Sequence, residues 1–192
     1  MSNIDELDQI LGQSAAVVAK RLLGSTICRT INDALITAKI VETEAYDQSD
    51  LASHSNWGIT PRTAVMFGPA GYWYIYSIYG MHFCYNLVTG TVGKGSAVLI
   101  RAVEPLTEQV VLNRYRAASG YNVTNGPAKL CQALRIDKSL YGHDARQPPL
   151  KITLNDELSS SSVTTTTRIG ISKAQSTPWR FYITGNPYVS IL

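Results

Sequence analysis

Hydrophobic residues recur along this chain in two rhythms, and the shorter one dominates. At the amino end Leu7, Ile10, Leu11, Val17, Val18 and Leu22 fall mostly three or four residues apart, which predicts a helix over Ile4 to Leu23 closed by Gly24. Alternation then takes over, with strands expected over Ser25 to Thr30 and Ala34 to Glu44 and a turn at Ile31-Asn32-Asp33. Tyr72 to Ile78 and Phe83 to Val88 read as a hairpin around Tyr79-Gly80-Met81-His82, with Gly80 supplying the freedom of a tight turn. In its first strand Tyr72, Tyr74, Tyr76 and Ile78 share one face, and Trp73, Ile75, Ser77 and Tyr79 share the other. Ser96 to Val103 is an apolar strand interrupted by Arg101, and Lys151 to Leu154, Arg168 to Ser172 and Arg180 to Thr184 complete the strands. Further helices are expected from Pro105 to about Ala118 and from Ala128 to Arg135. Tyr46 to Thr63 reads as a long polar loop with a helical turn near Leu51 to His54, and residues 159–167, SSSSVTTTT, as a solvated loop.

A length of 192 residues suits one domain, 1–192, with a substantial core. Nothing approaches the roughly 18 apolar residues of a membrane span. The acidic start MSNIDELDQI is unlike a signal peptide, so a cytoplasmic location is expected. Cys28, Cys84 and Cys131 have no metal-ligand spacing and fit reduced thiols filling the core. The net charge of +3 is uneven: residues 1–100 hold 6 Lys/Arg against 8 Asp/Glu, and residues 101–192 hold 11 against 6. A basic second half is compatible with a polyanion such as nucleic acid, or with nothing more than a solvated face.

Candidate chemistry concentrates at Ile40-Val41-Glu42-Thr43-Glu44-Ala45-Tyr46, where two carboxylates interrupt a strand. Glu42, Glu44 and Tyr46 share a face, and a rise of about 3.3 Å per residue separates the glutamates by roughly 6.6 Å, enough for one to activate water near an acetal-like carbon. The alternative is that both face solvent. His54 follows Asp50 at a helical spacing and is either held by that carboxylate or simply exposed. Asn86 and Arg101, polar residues in apolar strands, are either structural hydrogen-bonders or site residues. Tyr79 and Met81 sit where turns usually carry small polar residues, which suggests a tip that inserts into something. The glycines of residues 90–96 do not match a phosphate loop, and dinucleotide, paired-cysteine zinc and nucleophile-elbow motifs are absent, so no cofactor or metal is expected. A carboxylate, stackable rings, an Asn, an Arg and a protruding tip suit an enzyme that extrudes a DNA base and hydrolyses its bond to the sugar. A damage-recognising module that does not cleave, and a carbohydrate hydrolase using Glu42 and Glu44, remain open.

The runs IVETEAY at 40–46, ASHS at 52–55, TPR at 60–62, MFGP at 66–69, YIY through YGM at 74–81, FCYN at 83–86, VLIRAVEPL at 98–106, GPAKLCQAL at 126–134 and RFYI at 180–183 stand in the order of one family. The chain resembles the alkyladenine (3-methylpurine) DNA glycosylases over almost its whole length. That resemblance implies a mixed α/β (α+β) single domain with a curved, largely antiparallel sheet, flanking helices and a protruding hairpin. It implies a compact, bacterial-type monomer in the cytosol, acting on double-stranded DNA with damaged purines and lacking a Schiff-base lysine. By the same resemblance Glu44 is the general base and Arg101 lies beside the attacking water and the flipped nucleotide's phosphate. Tyr46, His54 and Tyr76 would line the base pocket, Asn86 would exclude normal guanine, and Tyr79 would be the minor-groove wedge with Met81 beside it. Thr60 and Lys129 would contact the DNA backbone. His82 and Trp73 depart from the family's usual residues.

Overall fold

The computed structural model describes residues 3–191. Two short helices open the chain, α1 (Asn3–Leu11) and α2 (Ala15–Arg21), in place of the single helix the spacing predicts. Gly12, Gln13 and Ser14 interrupt them, and extended backbone at Ser14 starts the second. Strands β1 (Thr26–Ile31) and β2 (Ala34–Tyr46) follow, each about a residue or two offset from expectation. Asn32 and Asp33, at φ 47° and 64°, make the two-residue left-handed turn that suits the twist of a hairpin.

The aromatic hairpin consists of β3 (Trp73–Ile78) and β4 (His82–Val88). His82 pairs with Ile78, so it belongs to the strand rather than to the turn, which is Tyr79-Gly80-Met81. β5 (Ala97–Pro105) starts one residue later and ends two residues later than expected. Beyond it Leu106 and Thr107 donate their amides to the Thr37 carbonyl, at 2.9 and 3.2 Å, which prevents helix from starting at Pro105. Only α3 (Gln109–Asn113) is helical there. α4 (Pro127–Ala133) begins on Pro127, whose missing amide costs a first turn nothing. Strand β6 is Leu150–Thr153.

Two further expectations are overturned. The serine-threonine stretch is not all loop: after a 3-10 turn at Ser160–Ser162, Val163–Thr166 forms β7, and its β-branched residues pair with β8 (Arg180–Ile183). Arg168 to Ser172 is not a strand, because Arg168 is drawn inward to Asp50 and Gly170 takes φ 75°. The helical turn lies at His54–Trp57, three residues later than expected, and a second, Ala64–Phe67, was not anticipated.

Among the described residues the sheet has eight strands, all paired antiparallel, in the order β3-β4-β5-β2-β1-β6, with β8 on β2 and β7 on β8. This is the expected α+β class. Its two faces differ. Trp73, Ile75, Tyr85, Leu87, Val98 and Ile100 point into the main core, against Leu11, Val18, Leu22 and Leu130 from the helices. Tyr74, Val88 and Ala97 point the other way, into a smaller cluster with Met66 and Phe67. Tyr74 and Tyr76 are thus separated from Trp73 and Ile75, as the alternation predicts.

Gly95 lets the connection before β5 lie against the turn that carries His54. A Cβ there would stand 2.5 Å from Ser55 Cβ and 2.8 Å from Phe67 Cζ. Gly95→Ala is therefore expected to lose about 1–3 kcal/mol of stability, read as a lower urea midpoint at unchanged slope.

Candidate active site

The polar face of the sheet is assembled row by row. Tyr74 stands opposite Asn86, Asn86 opposite Leu99, Leu99 opposite Glu44, and Glu44 opposite Arg180, so residues from five strands share one transverse line. Two register shifts break the β2–β5 ladder: Val41 is the extra residue on β2 and Arg101 the extra residue on β5. Such bulges re-aim a side chain. Here the guanidinium of Arg101 meets both glutamates, Nε at 3.3 Å from Glu42 Oε1 and Nη1 at 3.3 Å from Glu44 Oε1.

The two carboxylates share complete burial and differ in use. Neither faces solvent, which removes the exposed-strand alternative. Glu42 is the more heavily engaged: besides Arg101 it accepts from Arg180 Nε at 2.7 Å, from the Ser190 amide at 2.8 Å and from Ser190 Oγ at 3.0 Å. It anchors two guanidinium groups. Glu44 accepts from Tyr46 Oη at 2.8 Å and from the Ile169 amide at 2.8 Å, and is ion-paired with Arg101. A carboxylate offers about four acceptor sites, so Glu44 keeps capacity for a further donor.

In front of Glu44 lies a cavity of about 640 Å³. Tyr46, Arg101 and Ile169 line it, so the carboxylate sits directly behind two hydrogen-bond donors and its ion-pair partner. His54, Tyr76 and Asn86 line it too, which brings the expected pocket residues together. The His54 and Tyr76 rings meet edge to face at 4.6 Å, and Tyr74 lies 5.4 Å from Tyr76. The Nδ2 of Asn86 donates to the Tyr74 carbonyl at 3.1 Å, which fixes the amide in the wall.

His54 is not held by Asp50. Its Nδ1 lies 2.8 Å from Tyr74 Oη and its Nε2 3.4 Å from Arg62 Nη2. A guanidinium only donates, so Nε2 accepts and Nδ1–H donates to the tyrosine. Burial, aided by the charge of Arg62, lowers the His54 pKa to about 4, which keeps the ring neutral at pH 7. Burial also raises the Tyr46 phenol well above its ordinary value, with the Glu44 charge and hydrogen bond adding to it, so Tyr46 remains a donor. Burial opposes the Arg101 charge, but Glu44 and Glu42 more than offset that and the net shift is upward. Cys84 also lines the cavity, and burial raises its thiol.

At the mouth the hairpin tip projects into solvent. Tyr79 is 89% exposed with φ 51°, and Met81 is 74% exposed. Tyr79 borders the main cavity, whereas Met81 borders a smaller one of about 340 Å³ shared with α4. Trp57, which also lines the main cavity and is 76% exposed, carries the Lys173 ammonium 5.2 Å above its ring. Thr60 and Lys129 lie outside the cavity lining. Thr60 exchanges hydrogen bonds with Thr63, and Lys129 Nζ reaches Asn122 and Asn125 at 3.0 and 2.8 Å.

The model of the methylpurine-DNA glycosylases (MPG) matches residues 9–187. This chain belongs to that family. Curated relatives agree: a Carboxydothermus hydrogenoformans protein is 45% identical over 95% of this chain and 96% of its own length. Relatives from Methanoculleus marisnigri and Francisella tularensis are 43% and 42% identical, over 93% and 97% of this chain and 94% and 99% of theirs. All three are named, provisionally, as 3-methyladenine DNA glycosylases. A methylpurine-DNA glycosylase is a hydrolase, so membership speaks against both the non-cleaving and the carbohydrate-directed readings. Among the described residues no helix is long and apolar enough to cross a membrane.

Sequence reasoning missed Ile169, whose contribution is a backbone amide with no residue signature, and Arg168 and Arg180, which hold the site from behind; it named Asp50 but as a partner for His54 rather than for Arg168. The two arginines had a signal: arginines in the basic second half close to apolar runs need buried partners.

Because His54 titrates lower in the folded protein than its ordinary 6.5, the unfolded chain binds more protons between about pH 4 and 6.5. Stability should therefore fall as pH drops from 6.5 toward 4. In His54→Gln that part of the decline should be reduced, measured by urea melts at several pH values.

Proposed function

We propose that this chain flips alkylated or deaminated purines out of duplex DNA and hydrolyses the N-glycosidic bond by a monofunctional route, acting as a monomer in base excision repair. The observation that carries this reading is the buried Glu44, with an acceptor site open, behind an aromatic cavity. Water admitted between Tyr46 and Arg101 donates a hydrogen bond to that open site. Its oxygen attacks the anomeric carbon as the C1′–N9 bond breaks, its proton passes to Glu44, and the electron pair leaves with the purine. An N-methylated purine carries a positive charge and so departs neutral. Before departure it stacks against Tyr46 and Tyr76, whose electron-rich faces attract a cation, and a neutral His54 adds no opposing charge.

Asn86 acts in selection, because an amide held by the Tyr74 carbonyl cannot turn aside for the exocyclic amino group of guanine. Tyr79 fills the gap left in the duplex, with Met81 beside it. Arg101 stabilises charge at the reacting sugar or its phosphate. Thr60 and Lys129 remain candidates for backbone contacts; Lys129 would first have to leave Asn122 and Asn125.

The direct test is release of 3-methyladenine or hypoxanthine from duplex DNA without added metal. Glu44→Gln should bind the lesion duplex and fail to excise, with single-turnover rates down roughly 10³-fold or more, in the range of other general bases once their activating role is included; full activity in that variant would remove the mechanism. Tyr79→Ala should stay within about 0.5 kcal/mol of the parent in stability, as an exposed side chain allows. Its excision from duplex should fall roughly tenfold or more, since a few kcal/mol of unstacking lose their compensation. Unfolding of that variant would mean the tip serves the core.

A further inference from the structure

We propose that the buried Asp50–Arg168 ion pair is a positioning device for Glu44, fastening two cavity loops to the end of β2 so that the Ile169 amide and the Tyr46 ring are delivered to the carboxylate. This rests on Glu44 acting as the base. The side chains of the pair are 0% and 3% exposed, Arg168 and Asp50 respectively. Arg168 Nη1 donates to Asp50 and, at 2.9 Å, to the carbonyl of Ala45, the residue after Glu44. Its Nη2 donates to Asp50 Oδ1 at 3.0 Å. The guanidinium carbon lies 4.7 Å from the centre of the Tyr46 ring, covering one face and leaving the other for the cavity. One residue on, the Ile169 amide donates to Glu44 Oε1 at 2.8 Å. Asp50 Oδ1 also accepts the Ala52 amide at 3.0 Å, at the entry to the turn bearing His54. One guanidinium therefore joins the His54 loop, the Ile169 loop and the strand end that carries Glu44 and Tyr46.

Stability alone does not explain this choice. A buried ion pair is often no more stabilising than apolar residues of the same volume, and Arg168 Nε is buried without a hydrogen-bond partner. What a planar fork supplies is fixed geometry toward two acceptors at once, which is what two loops meeting at a carboxylate need. The groups facing Glu44 are Arg101 from β5, Tyr46 on its own strand, Cys84 from β4, and the Ile169 amide. The pair governs the last and orients the second.

Two variants separate positioning from simple support. Arg168→Lys keeps a cation for Asp50 and loses the fork, and the double variant Asp50→Asn/Arg168→Gln removes both charges so that neither is left buried alone. Each is tested for affinity toward duplex holding an uncleavable abasic analogue, and for single-turnover excision. Affinity is expected within about threefold of the parent, with the rate near neutral pH down about 10- to 100-fold, as for loss of a donor to a charged group. Folded variants with the full rate, or with affinity and rate lost together, overturn the proposal. Should neither variant fold, the unmodified chain decides: the Ile169 amide resonance must be protected from exchange, and an amide that exchanges freely overturns the proposal. A chain that excises nothing would defeat the proposed function while the Ile169 protection remained readable.

Discussion

Two carboxylates with no solvent exposure sit side by side at the centre of this sheet, and they must be neutralised where they stand. Arg101 and Arg180 do so. Glu42 draws Arg180 from β8, Arg101 from β5 and Ser190 from the carboxyl-terminal segment onto a single residue of β2. That convergence explains why β8 returns to β2 although the chain between them spans most of the molecule. Breaking one partner of such a cluster costs about 3–5 kcal/mol, so the strands that supply the charges are held by more than their ladders.

The same constraint divides the sheet into a side that packs on the helices and a side that faces the cavity. Alternation sends Trp73, Ile75, Leu87, Val98 and Ile100 into the helix-covered core, and Tyr74, Asn86, Leu99 and Glu44 to the cavity. A regular ladder would carry this pattern unchanged across β2 and β5. The two bulges instead insert Val41 and Arg101, and the second brings a guanidinium between the glutamates. Glu44 is thereby surrounded by donors, two of them held in place by other buried groups: Arg101 by Glu42 and Ser190, and Ile169 through Arg168 and Asp50.

Against this rigid floor, the rim is built from exposed side chains. Tyr79, Met81 and Trp57 make little use of the core, and Tyr79 and Gly80 both adopt left-handed backbone to turn the hairpin in three residues. A bulky ring at a left-handed position is a local cost that packing does not repay in the isolated chain. Its compensation, in the proposed function, comes from the DNA it enters.

The sequence by itself determined the short-range features. Period-two alternation over residues 72–78 separated the core face of the hairpin from its cavity face, and the run IVETEAY with its accompanying motifs pointed to Glu44, Tyr46, His54, Tyr76, Asn86 and Arg101, which the fold brings to one place. Local pattern was a poorer guide where distant partners decide conformation. Residues after Pro105 bind Thr37 instead of turning into helix, threonines at 163–166 become a strand because β8 lies beside them, and Arg168 leaves an extended path to reach Asp50, 118 residues away. The spacing of Asp50 and His54 suggested a partnership that the fold gives to Arg168 and Tyr74 instead. Nor could alternation alone separate Glu42 from Glu44, two identical residues on one face, although the resemblance named Glu44. The tertiary structure supplies the physical difference, because the number of donors that converge on each carboxylate depends on β8, the Ile169 loop and the segment at Ser190, none of which is near them in sequence.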